Sequence, residues 1–174
     1  MLEVIIKSRT RLKILIKFFL FEGIQGYIRG MAKEFNESPN AIRMEINQFV
    51  HAGLLFSANK GRKRVFQANP RHPLYPELKS IIRKTVGIDR IIHIITRQTE
   101  KLDSIYITGT FAKGIDSETI ELVLVGKELD KSKLDELILH AGKLIERKLI
   151  YFMVTKEQMK YFFKDKPTQK IWEK

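Results

Sequence analysis

Three groups of residues could do chemistry. The first is Asn40, Arg43, Met44, Asn47 and Gln48, which follow Ser38-Pro39 at helical spacing. Side-chain amides and a guanidinium make paired hydrogen bonds to planar donor–acceptor edges: Arg suits guanine O6/N7, and Asn suits adenine N6/N7. The second is Lys60, Arg62, Lys63 and Arg64, crowded around Gly61 in Asn59-Lys60-Gly61-Arg62-Lys63-Arg64. Four cations on so short a stretch repel one another, and a phosphate backbone relieves that repulsion. A solvated hairpin whose cations guard a strand edge is the plainer alternative. The third is Gly109-Thr110-Phe111-Ala112-Lys113-Gly114. A glycine turn offers backbone N–H groups to an anion, and Gly109, Thr110 and Lys113 are the candidate phosphate-binding residues. Other site types fail. His51, His72, His93 and His140 are dispersed, and with no cysteine the chain has no disulfide and no thiolate metal site. Ile115 follows the second glycine of the turn where a P-loop needs Lys.

Helices and strands must hold these groups. Thr10 can cap a helix to about Phe21, with Leu12, Leu15, Ile16, Phe19 and Leu20 on its apolar face. A short helix covers Ile28 to Phe35. Ser38 can cap a third, with Pro39 in its first turn, running to about Ala52. Its inner face is Ala41, Ile42, Ile46, Phe49 and Val50, which leaves the amides and Arg43 outward. Two strands follow, Leu54 to Ala58 and Val65 to Ala68, with the basic loop between them. After Asn69-Pro70 the periodicity predicts one long helix from Leu74 to about Glu100, with Gly87 as a bend or packing point. Then come strands at Ile105–Thr108, Ile120–Val125 and Leu149–Val154. A helix from about Ser132, with Asp135 completing a capping box, precedes the last of these, and Thr155 with Gln158 opens another. In the tail from Pro167, Ile171 and Trp172 serve as an end clamp.

The pieces MAKEFNESPNAIRMEINQFVHAGLL and FSANKGRKRVFQAN resemble the winged helix-turn-helix domain of transcription regulators, over about residues 8–70. The resemblance implies that the third helix enters a major groove and that the hairpin touches the adjacent backbone. Ser38, Asn40, Arg43, Met44, Asn47 and Gln48, with Lys60, Arg62, Lys63 and Arg64, would be the DNA-binding set. The piece YITGTFAKGIDSETIELVLVG resembles the minimal nucleotidyltransferase fold of the polymerase-β type. That family carries Asp-x-Asp on the strand after the glycine turn and a third carboxylate on a later strand, which together bind two Mg²⁺ ions. Here the positions read Thr119-Ile120-Glu121, and the later strand Leu149–Val154 has no acid. The resemblance therefore implies the fold without the reaction: no catalytic residue, no metal and no cofactor.

Composition fits this division. Of 174 residues, 32 are Lys or Arg against 20 acids, giving +12, and 44% are apolar, enough for a packed core. Residues 1–87 hold 16 Lys+Arg against six Glu, a net +10, so most of the net charge lies in the first half. A polyanion partner is expected there. The most apolar stretch, Ile14 to Phe21, is broken by Lys17 and is too short to span a bilayer. The expected protein is an α/β chain, α+β overall. Residues 1–73 form a winged helix-turn-helix DNA-binding domain, and residues 74–174 form a connecting helix and a nucleotidyltransferase-like domain. It is a cytoplasmic regulator of transcription and not an enzyme, with no membrane partner. It binds double-stranded DNA as a homodimer, and its second domain dimerises or senses a nucleotide or other small anion. The alternative is an active nucleotidyltransferase whose winged helix positions the substrate.

Overall fold

The computed structural model describes residues 5–174, and the chain divides into two compact units. The first runs to Thr85 and takes in Gly114–Asp116; the second holds Val86–Lys113 and Ser117–Lys174. Both mix helices with sheet. Among the described residues no helix is long and apolar enough to cross a membrane.

The first unit opens with α1 (Arg9–Phe19). Ser8, not Thr10, caps it: the Ser8 hydroxyl accepts from the Arg11 N–H at 3.1 Å, so the helix starts earlier than its apolar pattern suggests. The two-residue strand β1 (Gln25–Gly26) leads to α2 (Ile28–Phe35), which ends at Asn36 in the left-handed conformation. Next is α3 (Pro39–His51), capped by Ser38 with Pro39 in the first turn as the sequence requires. Phe18, Phe19, Met31, Phe35, Ile42, Ile46, Leu55 and Phe66 build the core. Lys17 is buried within it at 3% exposure, and its ammonium donates to Glu34 at 2.6 Å.

Strands β2 (Leu55–Lys60) and β3 (Lys63–Ala68) form an antiparallel hairpin, and β1 pairs with β3, giving the order β1-β3-β2. The expected six-residue loop shrinks to two residues, Gly61-Arg62, because the ladder continues to Lys60 opposite Lys63. Gly61 has φ +60°, and a glycine first in a two-residue turn matches the twist of the flanking strands.

The long helix is two helices, α4 (Tyr75–Val86) and α5 (Ile88–Thr96). Gly87 breaks them at φ +85°, and a Cβ there would lie 2.5 Å from Ile145 Cγ2. Apolar spacing continues across the break, so periodicity alone could not reveal it.

The second unit has a four-stranded sheet in the order β6-β5-β4-β7. Its strands are β4 (Leu102–Thr108), β5 (Thr119–Gly126), β6 (Lys148–Val154) and β7 (Thr168–Glu173). β6 runs parallel to β5, while β4 is antiparallel to both β5 and β7. The crossover between β5 and β6 is α7 (Lys131–Ile145). Asp130 caps it, accepting from the Lys133 N–H at 3.1 Å, in place of the expected Ser132. α7 packs against α5 and β6. On the opposite face, α8 (Lys156–Phe162) covers Val123, Val125 and Val154 with Met159, Phe162 and Phe163. Thr155 and Gln158 form the expected capping box. The tail forms β7, in which Ile171 is buried and Trp172 partly so, packing as the end clamp expected of them.

Candidate functional site

Each unit carries one candidate. In the first, apolar residues fix the rotation of α3. Ile42 and Ile46 are wholly buried and Phe49 nearly so, which turns Asn40, Arg43, Met44 and Asn47 to the surface. The Asn40 amide donates to Met44 Sδ at 3.9 Å, and Met44 itself is 60% exposed. Ser38 is committed to the cap, accepting from the Ala41 N–H at 3.1 Å. Gln48 stands apart from the others. Its carbonyl accepts from Arg11 of α1, and Arg11 also donates to Glu45 at 2.8 Å. The amide of Gln48 thus belongs to the flank facing α1.

On the hairpin the cations take different roles. The Lys63 ammonium lies 4.8 Å from the centre of the Tyr27 ring, a cation–π contact. Arg64 donates through Nε to the Ser57 hydroxyl at 3.0 Å and stacks over Phe66. The side chains of Lys60 and Arg62, at the tip, make no hydrogen bond or ion pair among the described residues. Lys60 stands directly opposite Lys63, and like charges so placed destabilise a ladder. Tyr27 is the residue that pattern reading missed; its place just after β1 could not be read without seeing that two-residue strand.

In the second unit β4 ends at Thr108, whose hydroxyl donates to the Pro167 carbonyl at 2.9 Å. Gly109 turns the chain at φ +71° into the four-residue helix α6 (Gly109–Ala112). Phe111 and Ala112 are buried, and Thr110 is exposed with its hydroxyl 3.4 Å from that of Ser117. Glu121 lies opposite Thr108 on β5, and its carboxylate fills the space beside Gly109, where a Cβ would collide with Oε1. A negative charge in that position opposes a phosphate at the same backbone. Arg147, which sequence reasoning passed over, donates to the Ser117 carbonyl and stacks over Phe111 at 5.4 Å.

Two Mg²⁺ ions need several carboxylates on adjacent strands. Thr119 and Glu121 share one face of β5, but their register partners on β6 are Lys148 and Ile150. Among the described residues no three of His, Cys, Asp and Glu gather where they could hold an ion. One carboxylate, a threonine and a lysine are a poor donor set for a hard divalent cation, so these residues do not fit the metal pair of the nucleotidyltransferase family.

No family model and no curated protein matches this chain. Two solved structures are similar over about half of it. The toxin–antitoxin MntA-HpeT aligns at 16% identity over 49% of this chain and 72% of its own, with a TM-score of 0.41. A nucleotidyltransferase structure from Sulfolobus solfataricus aligns at 21% identity over 56% of this chain and 86% of its own, with a TM-score of 0.37.

Proposed function

We propose that this chain is a sequence-specific DNA-binding regulator of transcription: a winged helix-turn-helix unit joined to a nucleotidyltransferase-like unit that does not transfer nucleotides. The observation that carries the reading is α3, wholly apolar inside, with Asn40, Arg43, Met44 and Asn47 exposed outside. These are the side chains that read base edges in a major groove. The element order supports it: helix, short strand, helix, helix, hairpin, with the short strand closing a three-stranded sheet. The hairpin cations then meet phosphate, with Lys60 and Arg62 foremost. Selection of bound duplexes from a random pool tests the proposal. Enrichment of a defined sequence is the expected result; recovery of no sequence above background at low salt would sink it.

One observation favours the enzyme reading. The Glu121 carboxylate does stand at the glycine turn, as one acid of a transferase would. Incubation with labelled nucleoside triphosphates and Mg²⁺ or Mn²⁺ separates the two. Transfer is expected to be absent, whereas transfer that disappears in Glu121→Gln would establish the enzyme instead.

A further inference from the structure

The two edges of the second sheet are treated differently. β7 is a blunted edge: Pro167 precedes it, Lys170 sits within it, and its register with β4 shifts between Ile105 and Tyr106. Such devices keep an edge from recruiting another strand. β6 lacks them. It is seven residues of KLIYFMV, with no proline, no break in register against β5, and its one charge, Lys148, at the very end. Among the described residues it pairs on one side only. Consecutive residues Phe152 and Met153, which point to opposite faces, are 39% and 40% exposed.

Beside this edge lies a matching helix flank. The Tyr151 hydroxyl donates to Asp135 at 2.5 Å, and the Gly142 backbone faces Leu149, so this side of α7 overlies β6. Continuing round that side come Asp135, Leu139 and Lys143. Leu139 is 61% exposed, at the centre of the series. Four residues to either side of it stand opposite charges, Asp135 and Lys143.

We propose that β6 and this flank of α7 form a two-fold seam with a second copy of the chain. The axis passes near Tyr151 on the strand and near Leu139 on the helix. The two β6 strands pair antiparallel, making one eight-stranded sheet. Ile150 of one copy then stands opposite Phe152 of the other, and Leu149 opposite Met153, which covers both exposed apolar residues. On the helices, Leu139 meets its own copy and Asp135 faces Lys143. A two-fold interface must be self-complementary in this way. The charge pairing, made twice by the symmetry, selects a second copy over an unrelated strand as the occupant. The seam lies wholly within the second unit and is independent of what the first unit binds.

The test is the dissociation constant of the full chain by sedimentation or light scattering, with circular dichroism to confirm folding. The parent is expected to be a dimer at tens of micromolar. Leu139→Asp brings two carboxylates together on the axis and should weaken the dimer by about tenfold or more. Lys143→Glu, an exposed change, sets like charges opposite Asp135 and should weaken it by a few-fold. Asp135→Lys should do the same against Lys143, and the two changes together should recover the loss that each causes. The Tyr151 hydrogen bond is lost whenever Asp135 is replaced, with Lys143 present or changed, so it cancels from the coupling between the two sites. A monomeric parent overturns the proposal. So does a dimer that Leu139→Asp and Lys143→Glu leave unchanged, or a double variant that shows no recovery beyond the sum of its single changes. If Leu139→Asp does not fold, the exchange at Asp135 and Lys143 decides alone.

Discussion

Backbone shape constrains single residues at the second unit's turn. Gly109 is the clearest case, at φ +71° with the Glu121 carboxylate against it. Gly109→Ala should cost about 1–2 kcal/mol, the ordinary penalty for a side chain in the left-handed region. The end of Glu121 can swing aside, so the backbone carries most of that loss. Adding Glu121→Ala to Gly109→Ala should therefore restore only a minor part; urea denaturation of both single variants and the double variant measures this. Tyr151 offers a titration test. Burial first, then its hydrogen bond and charge interaction with Asp135, push the phenol from about 10 up to about 12. The folded state thus keeps a proton that the unfolded chain loses. This contribution is whole below about pH 10 and falls away as pH rises from 10 toward 12. Tyr151→Phe should flatten the fall in melting temperature across that alkaline range relative to the parent.

At the scale of elements, α3 and the hairpin should fail differently when altered. Arg43→Ala should relax preference at one base pair by about 1–3 kcal/mol. Replacing Lys60 and Arg62 by Ala should weaken binding to all sequences alike and lower the salt slope by about 2. Titrations of an enriched and a scrambled duplex at several salt concentrations separate the two effects. Much of this architecture was legible in the chain. Ser38-Pro39 fixes the start of α3, and Thr155 with Gln158 fixes that of α8, because caps act within a few residues. The strand cores were visible in runs such as Ile120–Val125, and the outward face of α3 followed from its buried Ile42 and Ile46. What escaped depends on distant partners. β1 is two residues long and exists only because β3 lies beside it. β7 buries Ile171 alone, so its sequence shows little alternation. Gly87 was legible as a bend or packing point, but that it splits the helix in two shows only beside Ile145, 58 positions away. At the turn, Gly109, Thr110 and Lys113 were recognisable, whereas Arg147 enters only through the crossover that returns it to Ser117.

For the whole molecule, the decisive property is where the charge lies. With most of its +12 in the first half, the chain should lose affinity for mixed-sequence duplex by about a thousandfold between 50 and 200 mM salt, as counterion release from six or more phosphates requires. A much shallower slope, measured by fluorescence anisotropy, would mean that the basic surface serves only to keep the protein dispersed. Long-range pairing in the second sheet also bears on how the chain comes to be folded. Ser104 of β4 pairs with Glu173 of β7, so the two strands are separated by all of β5, α7, β6 and α8. During translation the hairpin-based sheet of the first unit can close as soon as β3 has left the ribosome. β4, by contrast, must wait with one side unpaired through the synthesis of some sixty further residues. Closing so large a loop is entropically slow, and an apolar strand left open invites wrong partners meanwhile. The nascent second unit is therefore the aggregation-prone stage of this protein's life, and a chain stalled before Thr168 should depend on chaperones far more than one stalled after Ala68.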